Sequence, residues 1–467
     1  MPTIKVVDIT PKAQSGDANQ DCEPNLAVNP ENPLEMVATA FTPDPLNGPF
    51  APVYVSTDGG DTWVLKSIVP GNDGIGGTGD ISVGFAAHGG RLYTGILNGT
   101  TSDLEILRKT DVTAPGPMEV LVDVPVRAIP DQPWVVTGPA SANGGGRDVV
   151  YVGNNVTTRG AGSATVTVSA DASTGTGGFS DVKVDQRPGA KSNGPPVRLA
   201  AHADGTVYGA FESYNSIVQD AADPKPAFFV NLDVVVTRDD RGGLGPKPFE
   251  DLRDAADGAV GQRVVSHRAL EFKIREATLG QERTGADLSI AVDPTDSASV
   301  WVAWCDVTGG LLPTDYVLHV RHSTDRGQTW AQAHQDLVDA KNPSLAITSD
   351  GLVGLVYQQL AHGQWSTVLE LSSDGFKTAE STVLHQAPGD VPVSSGVPYL
   401  GDYIRMLAVG KDFYGIFAGN NTPDRANFPV GVTYQRNANF TTHQLLSSDG
   451  VTRVPPSIDP FFFHRAA

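Results

Sequence analysis

The chain has 467 residues, including 51 glycines and 34 prolines, and it carries a formal net charge of −20 with a pI near 4.8. So acidic a surface repels phosphate backbones, which argues against binding to DNA or RNA. Two cysteines, Cys22 and Cys305, are too few for a disulfide framework, and the sequence leaves open whether they pair or remain buried thiols.

The N-terminal residues MPTIKVVDITPKAQ lack the apolar core of a signal peptide. No other stretch has the length and hydropathy needed to cross a bilayer. We therefore expect a soluble protein that does not partner a membrane. It is either cytoplasmic or exported, and export would occur without a leader or after a leader was lost.

A repeated unit of short apolar strands separated by tight turns runs along the whole chain. Each unit contains an apolar strand, a turn, a second strand and a third strand that ends in a polar turn. The seven copies begin, in chain order, with PNLAVNP at 24, ISVGF at 81, QPWVVTGP at 132, VRLAAH at 197, LSIAVD at 288, SLAITSD at 344 and YIRMLAV at 403.

Such thin sheets cannot bury both faces alone, and radial stacking on their neighbours solves that problem. The pattern predicts an all-β fold in which residues 1–467 form a single seven-bladed β-propeller domain. Six or eight blades, or two separate β-sandwiches, are the alternatives. TIKVVDIT and DPFFFHR at the two chain ends are candidates for the strand that closes the ring. A longer inter-blade insertion is expected at about 245–285, where LRDAADGAVGQRVV would form a short helix or a rim loop.

Two nearly identical segments, VSTDGGDTW at 55–63 and STDRGQTW at 323–330, share one pattern of residue types. In such a turn an Asp side chain accepts backbone N–H bonds, Gly supplies an unusual backbone conformation, and Trp buries its ring beneath. The residues are Ser56, Asp58, Gly60, Thr62 and Trp63 in the first copy, and Ser323, Asp325, Gly327, Thr329 and Trp330 in the second. Weaker copies lie at 169–174, 237–243 and 372–378.

This pattern resembles the Asp-box, or bacterial neuraminidase repeat, of the sialidase superfamily. The resemblance implies that the motif occupies the outer turn between the third and fourth strands of a blade and has a structural role. True sialidases bind the substrate carboxylate with three arginines, the first in an Arg-Ile-Pro motif, and use a Tyr–Glu pair and an Asp. This chain diverges from them, because its first arginine is Arg91 and its nearest match to that motif is RAIP at 127–130. Seven-bladed Asp-box propellers also include xyloglucan-cleaving glycosidases and non-catalytic assembly factors and receptors, so the resemblance extends to these proteins as well.

Carboxylates precede or begin five of the seven innermost strands. If the innermost strands are aligned, these side chains crowd one mouth of a central channel. Their mutual repulsion would then raise their pKa values, recruit Ca²⁺ or Mg²⁺, or be relieved by pairing with arginines. The catalytic candidates are Asp402, Tyr403, Glu23, Asp131 and Asp287. The candidates for substrate binding are Arg283, Arg405, Arg127 and Arg198, and those for a metal are Asp21 and Asp80.

The same carboxylates also have a structural explanation, since Asp caps turns at strand starts. Three functions therefore stay open from sequence. The first is a glycoside hydrolase with two carboxylates at the channel mouth. The second is a propeller that binds a carbohydrate or protein ligand through loop aromatics, for which the candidates are Trp134, Tyr316, Trp365 and Tyr399. The third is a scaffold in a larger assembly. The oligomeric state is not predicted.

Overall fold

The computed structural model describes residues 3–41, 51–66, 69, 78–98, 103–124, 131–138, 147–155, 163–187, 197–219, 228–272, 288–308, 315–391 and 400–467. Within these ranges the helical elements are two single 3₁₀ turns, Lys12–Gln14 and Arg425–Asn427. The rest of the regular structure in the described ranges is β-strand, so the expected all-β class is confirmed. No helix in the described part of the chain has the length and hydropathy to span a membrane.

Seven sheets of at least four strands follow one another along the described chain. Strand β1 (Ile4–Asp8) belongs to the last of them. Sheet 1 contains β2 (Asn25–Val28), β3 (Met36–Thr39), β4 (Val53–Ser56) and β5 (Val64–Leu65). Sheet 2 contains β6 (Thr78–Phe85), β7 (Leu92–Asn98), β8 (Leu104–Lys109) and β9 (Glu119–Val124). Sheet 3 contains β10 (Trp134–Thr137), β11 (Val150–Asn154), β12 (Thr165–Ser169) and β13 (Ser180–Lys183).

The next three sheets repeat this order. Sheet 4 contains β14 (Arg198–Ala201), β15 (Val207–Gln219), β16 (Phe228–Asp239) and β17 (Gln262–Phe272). Sheet 5 contains β18 (Leu288–Asp293), β19 (Asp296–Thr308), β20 (Asp315–Ser323) and β21 (Ala331–Gln332), with β22 (Leu337–Val338) also paired to β20. Sheet 6 contains β23 (Ala340–Ile347), β24 (Val353–Ala361), β25 (Gln364–Ser372) and β26 (Glu380–Pro388).

Both chain ends lie in sheet 7, as the sequence predicted. The sheet contains β27 (Arg405–Val409), β28 (Asp412–Asn420), β33 (Ile458–Arg465) and then β1, with β29 (Thr433–Tyr434) on its outer edge. Residues Val6 and Val7 of β1 pair with Phe463 and Phe462 of β33. A small sheet of β30 (Ala438–Asn439), β31 (Gln444–Leu446) and β32 (Arg453–Val454) lies between β29 and β33 in the chain.

The first strands of successive sheets lie next to each other in a closed cycle. Contacts join β2 to β6, β6 to β10, β10 to β14, β14 to β18, β18 to β23, β23 to β27, and β27 back to β2. Side chains on four first strands accept a backbone N–H from the next first strand at 2.8–3.2 Å; these acceptors are Asn25, Ser82, Ser289 and Ser344. The starts of these strands are thereby held together at one end of the cycle.

The two turns predicted at 55–63 and 323–330 have the same hydrogen bonds, and each joins the third and fourth strands of its sheet. At the first, Gly60 N donates to Ser56 Oγ at 2.9 Å, and Thr62 N and Oγ1 donate to Asp58 at 2.9 and 2.5 Å. The second repeats these bonds at 2.9, 2.9 and 2.6 Å, among Ser323, Asp325, Gly327 and Thr329. We call these two and the related segment at 372–378 the Ser-Asp turns.

The structure also bears on two other expectations from the sequence, the inter-blade insertion and the pairing of the two cysteines. Of the insertion expected at about 245–285, the segment LRDAADGAVGQRVV forms turns that lead into β17, and residues 262–272 are the fourth strand of sheet 4. Residues 273–285 lie outside the described residues. Cys22 and Cys305 are both free and buried, which settles the open question of pairing in favour of two thiols. Cys305 Sγ lies 3.5 Å from the carbonyl of Ala340.

Candidate functional site

A cavity of about 170 Å³ lies among the first strands of sheets 3 to 7. Its wall is apolar along the strands, with leucine, isoleucine, valine and methionine side chains. At the end where the first strands begin, the lining turns polar and aromatic; the residues there are Trp134, Arg198, Asn342, Tyr403 and Arg405. Four of these five were candidates from the sequence: Arg198, Tyr403 and Arg405 as site residues, and Trp134 as an aromatic of the binding hypothesis.

Two guanidinium groups contact the indole of Trp134 in this cavity. The Arg198 guanidinium lies 4.1 Å from the Trp134 ring centroid and that of Arg405 lies 4.9 Å from it. Trp134 also meets the ring of Tyr403 edge-on, with centroids 5.5 Å apart. Cation–π contacts of this kind hold the guanidinium planes in place. Burial, reinforced by repulsion from Arg198, lowers the pKa of Arg405 to about 10, which leaves it charged at neutral pH.

Behind Tyr403 lies a group of buried carboxylates. Tyr403 Oη donates to Asp80 Oδ1 at 3.1 Å, and Asp402 N donates to Glu23 Oε1 at 3.2 Å. Gln132 links the two pairs, because its backbone N and its Nε2 lie 3.4 Å from Asp80 Oδ2 and Asp402 Oδ2. The four acidic and phenolic residues are each between 2 and 5 % exposed. We call Glu23, Asp80, Asp402 and Tyr403 the acidic group.

Burial and neighbouring charges raise the pKa values of two members of this group, Asp80 and Tyr403. Burial, followed by the charge of Asp402, raises the pKa of Asp80 above its ordinary value. Burial, followed by the charges of Asp80 and Glu23, raises the pKa of the Tyr403 phenol well above its ordinary value. A carboxyl that keeps its proton to higher pH beside a phenol is suited to hold and exchange a proton.

Lys341 supplies positive charge to the acidic group. Its side chain is 3 % exposed, and its Nζ donates to the Gly401 carbonyl at 2.9 Å. Burial lowers the pKa of Lys341 to about 7, although the charges of Asp402 and Glu23 oppose that shift. Sequence analysis assigned no role to Lys341, since this residue interrupts the pattern of carboxylates before the first strands.

The backbone at the strand starts adopts conformations that side chains usually avoid. Glu23, Gln132 and Asn342 have φ of 53°, 44° and 52°. Gly401 has φ of 91°, and a Cβ there would lie 2.5 Å from Glu23 Cγ and 2.6 Å from Glu23 N. Non-glycine residues at positive φ persist where the surrounding structure over-determines them, and they cluster at functional sites. Gly401 is therefore needed for the close approach of sheets 7 and 1.

The structure brings together some of the predicted site residues and separates others. Glu23, Asp80, Asp402, Tyr403, Arg198 and Arg405 meet at the start of the first strands. Asp131 is exposed, and its backbone N donates to Asn155 Oδ1 at 2.8 Å. The candidates Arg127, Arg283 and Asp287 lie outside the described residues, as does Tyr399. Of the other aromatic candidates, Tyr316 and Trp365 are 6 and 4 % exposed and belong to the core.

Asp21 belongs to a different buried cluster, between the chain ends. Its backbone N donates to the Ile458 carbonyl at 2.8 Å, and its carboxylate pairs with that of Asp17. The carboxylates of Asp8 and Asp459 form a second pair there, and Arg436 donates to Asp459 at 2.6 Å. Burial, then the charge of Asp459, raises the pKa of Asp17 to about 6, and the same causes raise the pKa of Asp8 well above its ordinary value. We call these four aspartates the closing cluster.

The described residues contain no group of three or more His, Cys, Asp or Glu side chains placed to hold a metal ion. The suggested metal ligands Asp21 and Asp80 lie in separate clusters, because the chain turns Asp21 towards β33.

No protein-family model matches the chain, and no curated protein matches it either. Solved structures of similar fold include the α-L-arabinofuranosidase Arb93A of Fusarium graminearum, with 12 % identity and a TM-score of 0.43 over 82 % of this chain and 97 % of that one. The polysaccharide lyase Uly1 has 9 % identity and a TM-score of 0.46 over 92 and 88 % of the two chains. The Hadza microbial sialidase Hz136 has 13 % identity and a TM-score of 0.37 over 85 and 63 %.

Proposed function

We propose that this chain is a glycan-active enzyme whose chemistry takes place where Tyr403 lines the cavity. The observation that carries the proposal is the Tyr403–Asp80 hydrogen bond. It connects a phenol at the cavity wall with a buried carboxyl whose pKa is raised. Paired ionisable groups with shifted pKa values are what proton transfer at a glycosidic bond requires.

We also propose that the seven sheets are the seven blades of one propeller domain spanning residues 1–467. The closed cycle of contacts among the first strands supports this, as does the presence of both chain ends in sheet 7. Two separate β-sandwiches would have two independent cores, and no single cycle of contacts would join the first strands of all seven sheets. In the propeller the starts of all first strands face one mouth, which places the acidic group at the axis.

The roles of the residues follow from their positions. Tyr403 contacts the substrate, and Asp80 holds or accepts the proton of its phenol. Glu23 and Asp402 supply the second carboxylate that cleavage of a glycosidic bond needs. Arg198 and Arg405, both held over the ring of Trp134, bind substrate oxygens. Hydrogen bonds from charged donors to oxygen acceptors are the stronger kind, which suits them to that role.

A second function, glycan or protein binding without turnover, is favoured by one observation. The carboxylates of the acidic group are 2–4 % exposed and do not line the cavity, whereas Trp134, Arg198, Asn342, Tyr403 and Arg405 do. A ligand with oxygen-rich groups would then be held by Arg198 and Arg405 and would not reach Asp80. Turnover distinguishes the two functions.

The test is incubation of the purified protein with a panel of neutral and acidic polysaccharides, followed by mass spectrometry of the products. We expect one class of glycan to be cleaved by the wild type and not by Asp80→Asn. Running each reaction with EDTA and with added Ca²⁺ or Mg²⁺ tests the metal dependence suggested by the sequence. Saturable binding without any product would establish the second function and remove the first.

A further inference from the structure

The peptide that joins Gly401 to Asp402 is hydrogen-bonded at both ends, to the two neighbouring sheets. Its carbonyl accepts from Lys341 Nζ at 2.9 Å and from Asn342 Nδ2 at 3.1 Å, both at the start of β23 in sheet 6. Its N–H donates to Glu23 Oε1 at 3.2 Å, just before β2 of sheet 1. This single peptide therefore connects the Lys341 amine with a carboxylate of the acidic group.

The surroundings of the Lys341 amine fix its position. The pairing register of β23 and β24 shifts between Lys341 and Ser344, and Nζ lies 5.7 Å from the centroid of the Trp365 ring. The next residue, Asn342, has φ of 52°, and its Nδ2 also donates to Gln358 Oε1 at 2.9 Å. Because a cation held over an aromatic ring and bonded to a carbonyl has little freedom, the amine is a fixed charge beside the acidic group.

The charge of Lys341 acts on two of the carboxylates. Burial lowers the pKa of Lys341 to about 7, and the charges of Asp402, then Glu23, then Cys22 oppose that shift. Burial also raises the pKa of the Cys22 thiol well above its ordinary value, so this thiol is neutral. Lys341 is therefore charged throughout the acidic range in which carboxyls ordinarily titrate, and it faces Asp402 and Glu23 there.

Asp80 and Tyr403 form the other part of the acidic group. Tyr403 Oη donates to Asp80 Oδ1 at 3.1 Å, and after burial the charge of Asp402 is the largest cause that raises the pKa of Asp80. A nearby cation favours the ionised form of a carboxyl, and a nearby anion disfavours it. The Lys341 charge therefore influences how many protons the acidic group binds at a given pH.

We propose that Lys341 is a positioning residue of this site, which holds the peptide before Asp402 against Glu23 and balances the charge of both carboxylates. The proton that the group exchanges then stays with Asp80 and the phenol bonded to it. Asn342 lines the cavity and Lys341 does not, so Lys341 acts through the acidic group and not by touching the substrate. This inference rests on the proposed function and deepens it.

The first test is infrared spectroscopy of the folded protein, because protonated carboxyls give a C=O band separate from that of carboxylates. The part of this band that is absent in Asp80→Asn reports the acidic group, and its loss with rising pH gives a titration midpoint. Without the Lys341 charge the carboxyls keep their protons to higher pH. Lys341→Met, and Lys341→Gln, which keeps a donor, should therefore raise the midpoint by at least about one pH unit.

Two further variants complete this test. Lys341→Arg keeps the charge and should restore the wild-type midpoint. Lys109→Met is the matched control, because Lys109 is 7 % exposed and its Nζ donates to the Gly116 carbonyl at 2.7 Å, in sheet 2. It removes a similarly buried amine and should leave the midpoint unchanged. Equal midpoints in the wild type and in the Lys341→Met or Lys341→Gln variant that circular dichroism shows to be folded would overturn the proposal.

The second test is the pH dependence of turnover on a glycan that the wild type cleaves. The acid limb of the kcat profile should move to higher pH in Lys341→Met, as the infrared midpoint does, while KM changes by less than about threefold. The infrared measurement needs no glycan, so the two ideas can fail separately. A shifted midpoint without any cleavage by the wild type would contradict the enzymatic function alone, and an unmoved acid limb would overturn the role of Lys341.

Discussion

Tyr403 Oη donates a hydrogen bond to Asp80 Oδ1 at 3.1 Å, although 323 residues separate the two in the chain. Tyr403 precedes the first strand of sheet 7, and Asp80 lies in the first strand of sheet 2. The acidic group is therefore assembled from distant parts of the sequence and exists only when the cycle of sheets is complete. This relationship links the stability of the fold to the proposed site.

Removal of the phenol should lower stability. In Tyr403→Phe, Asp80 loses a buried donor, and we expect the free energy of unfolding to fall by about 1–3 kcal/mol. Tyr93→Phe is the matched control, because Tyr93 Oη donates to Asp148 at 2.6 Å from a similarly buried ring. Urea unfolding measures the free energy of unfolding of both variants. An unchanged midpoint for Tyr403→Phe would show that the bond contributes nothing.

Gly401→Ala should disrupt the junction of sheets 7 and 1. The added Cβ would lie 2.6 Å from Glu23 N, which is backbone and cannot move aside cheaply. Gly410 on the same sheet also has positive φ, at 61°, but a Cβ there has no atom within 4 Å. We expect Gly410→Ala to cost about 1 kcal/mol from backbone strain alone, and Gly401→Ala to cost at least about twice as much. Similar thermal unfolding of the two variants would contradict the close approach.

Asp17 should make stability depend on pH. Its pKa is about 6 in the folded protein against 3.8 for the free group, so the folded state binds the proton more tightly. The resulting stabilisation is fully present below pH 3.8 and is lost as the pH rises through about 6. The wild type should therefore lose roughly 2–3 kcal/mol relative to Asp17→Asn between about pH 4 and pH 8.

Guanidinium unfolding at several pH values measures that difference. Asp390→Asn, an exposed position, corrects for the loss of one negative charge. If the difference between wild type and Asp17→Asn is independent of pH, or rises with pH, the raised pKa that we assign to burial of Asp17 and to its repulsion by Asp459 is wrong.

Asp58→Ala should destabilise the first Ser-Asp turn without affecting ligand binding in the cavity. The substitution removes the acceptor of two Thr62 bonds and of the Ser56 hydroxyl, which should cost about 1–3 kcal/mol. Asp58→Asn keeps one acceptor oxygen and should cost less. A changed affinity for a cavity ligand in Asp58→Ala would show that the turn is not purely structural.

The fold could be predicted to a large extent because its determinants are local. Alternation of apolar residues predicted the innermost strands, and the spacing of Ser, Asp, Gly and Thr predicted the bonds of the Ser-Asp turns. A fourth such arrangement was missed at Ser447, where Thr452 N and Oγ1 donate to Asp449, since the strand before it, Gln444–Leu446, is short and no tryptophan follows Thr452.

The candidate site was predicted only in part. The sequence pattern shows which residues lie at the start of each strand, but it does not show the direction in which the backbone turns their side chains there. The pairing register of β23 and β24 shifts between Lys341 and Ser344. The Lys341 amine lies among carboxylates that no local sequence pattern connects to it. Asp21 and Glu23 are two residues apart, yet one joins the closing cluster and the other the acidic group. Glu23 has φ of 53°, a backbone reversal that sequence alternation does not reveal.

The most direct test of the account is the turnover number of Tyr403→Phe on the glycan that the wild type cleaves, measured beside Tyr93→Phe at a temperature where both are folded. General acid–base groups contribute about 10²–10⁴-fold to the rate, so Tyr403→Phe should be at least about 100-fold slower. Tyr93→Phe should retain the wild-type rate. Equal turnover by Tyr403→Phe and the wild type would contradict a catalytic site at the mouth of the cavity.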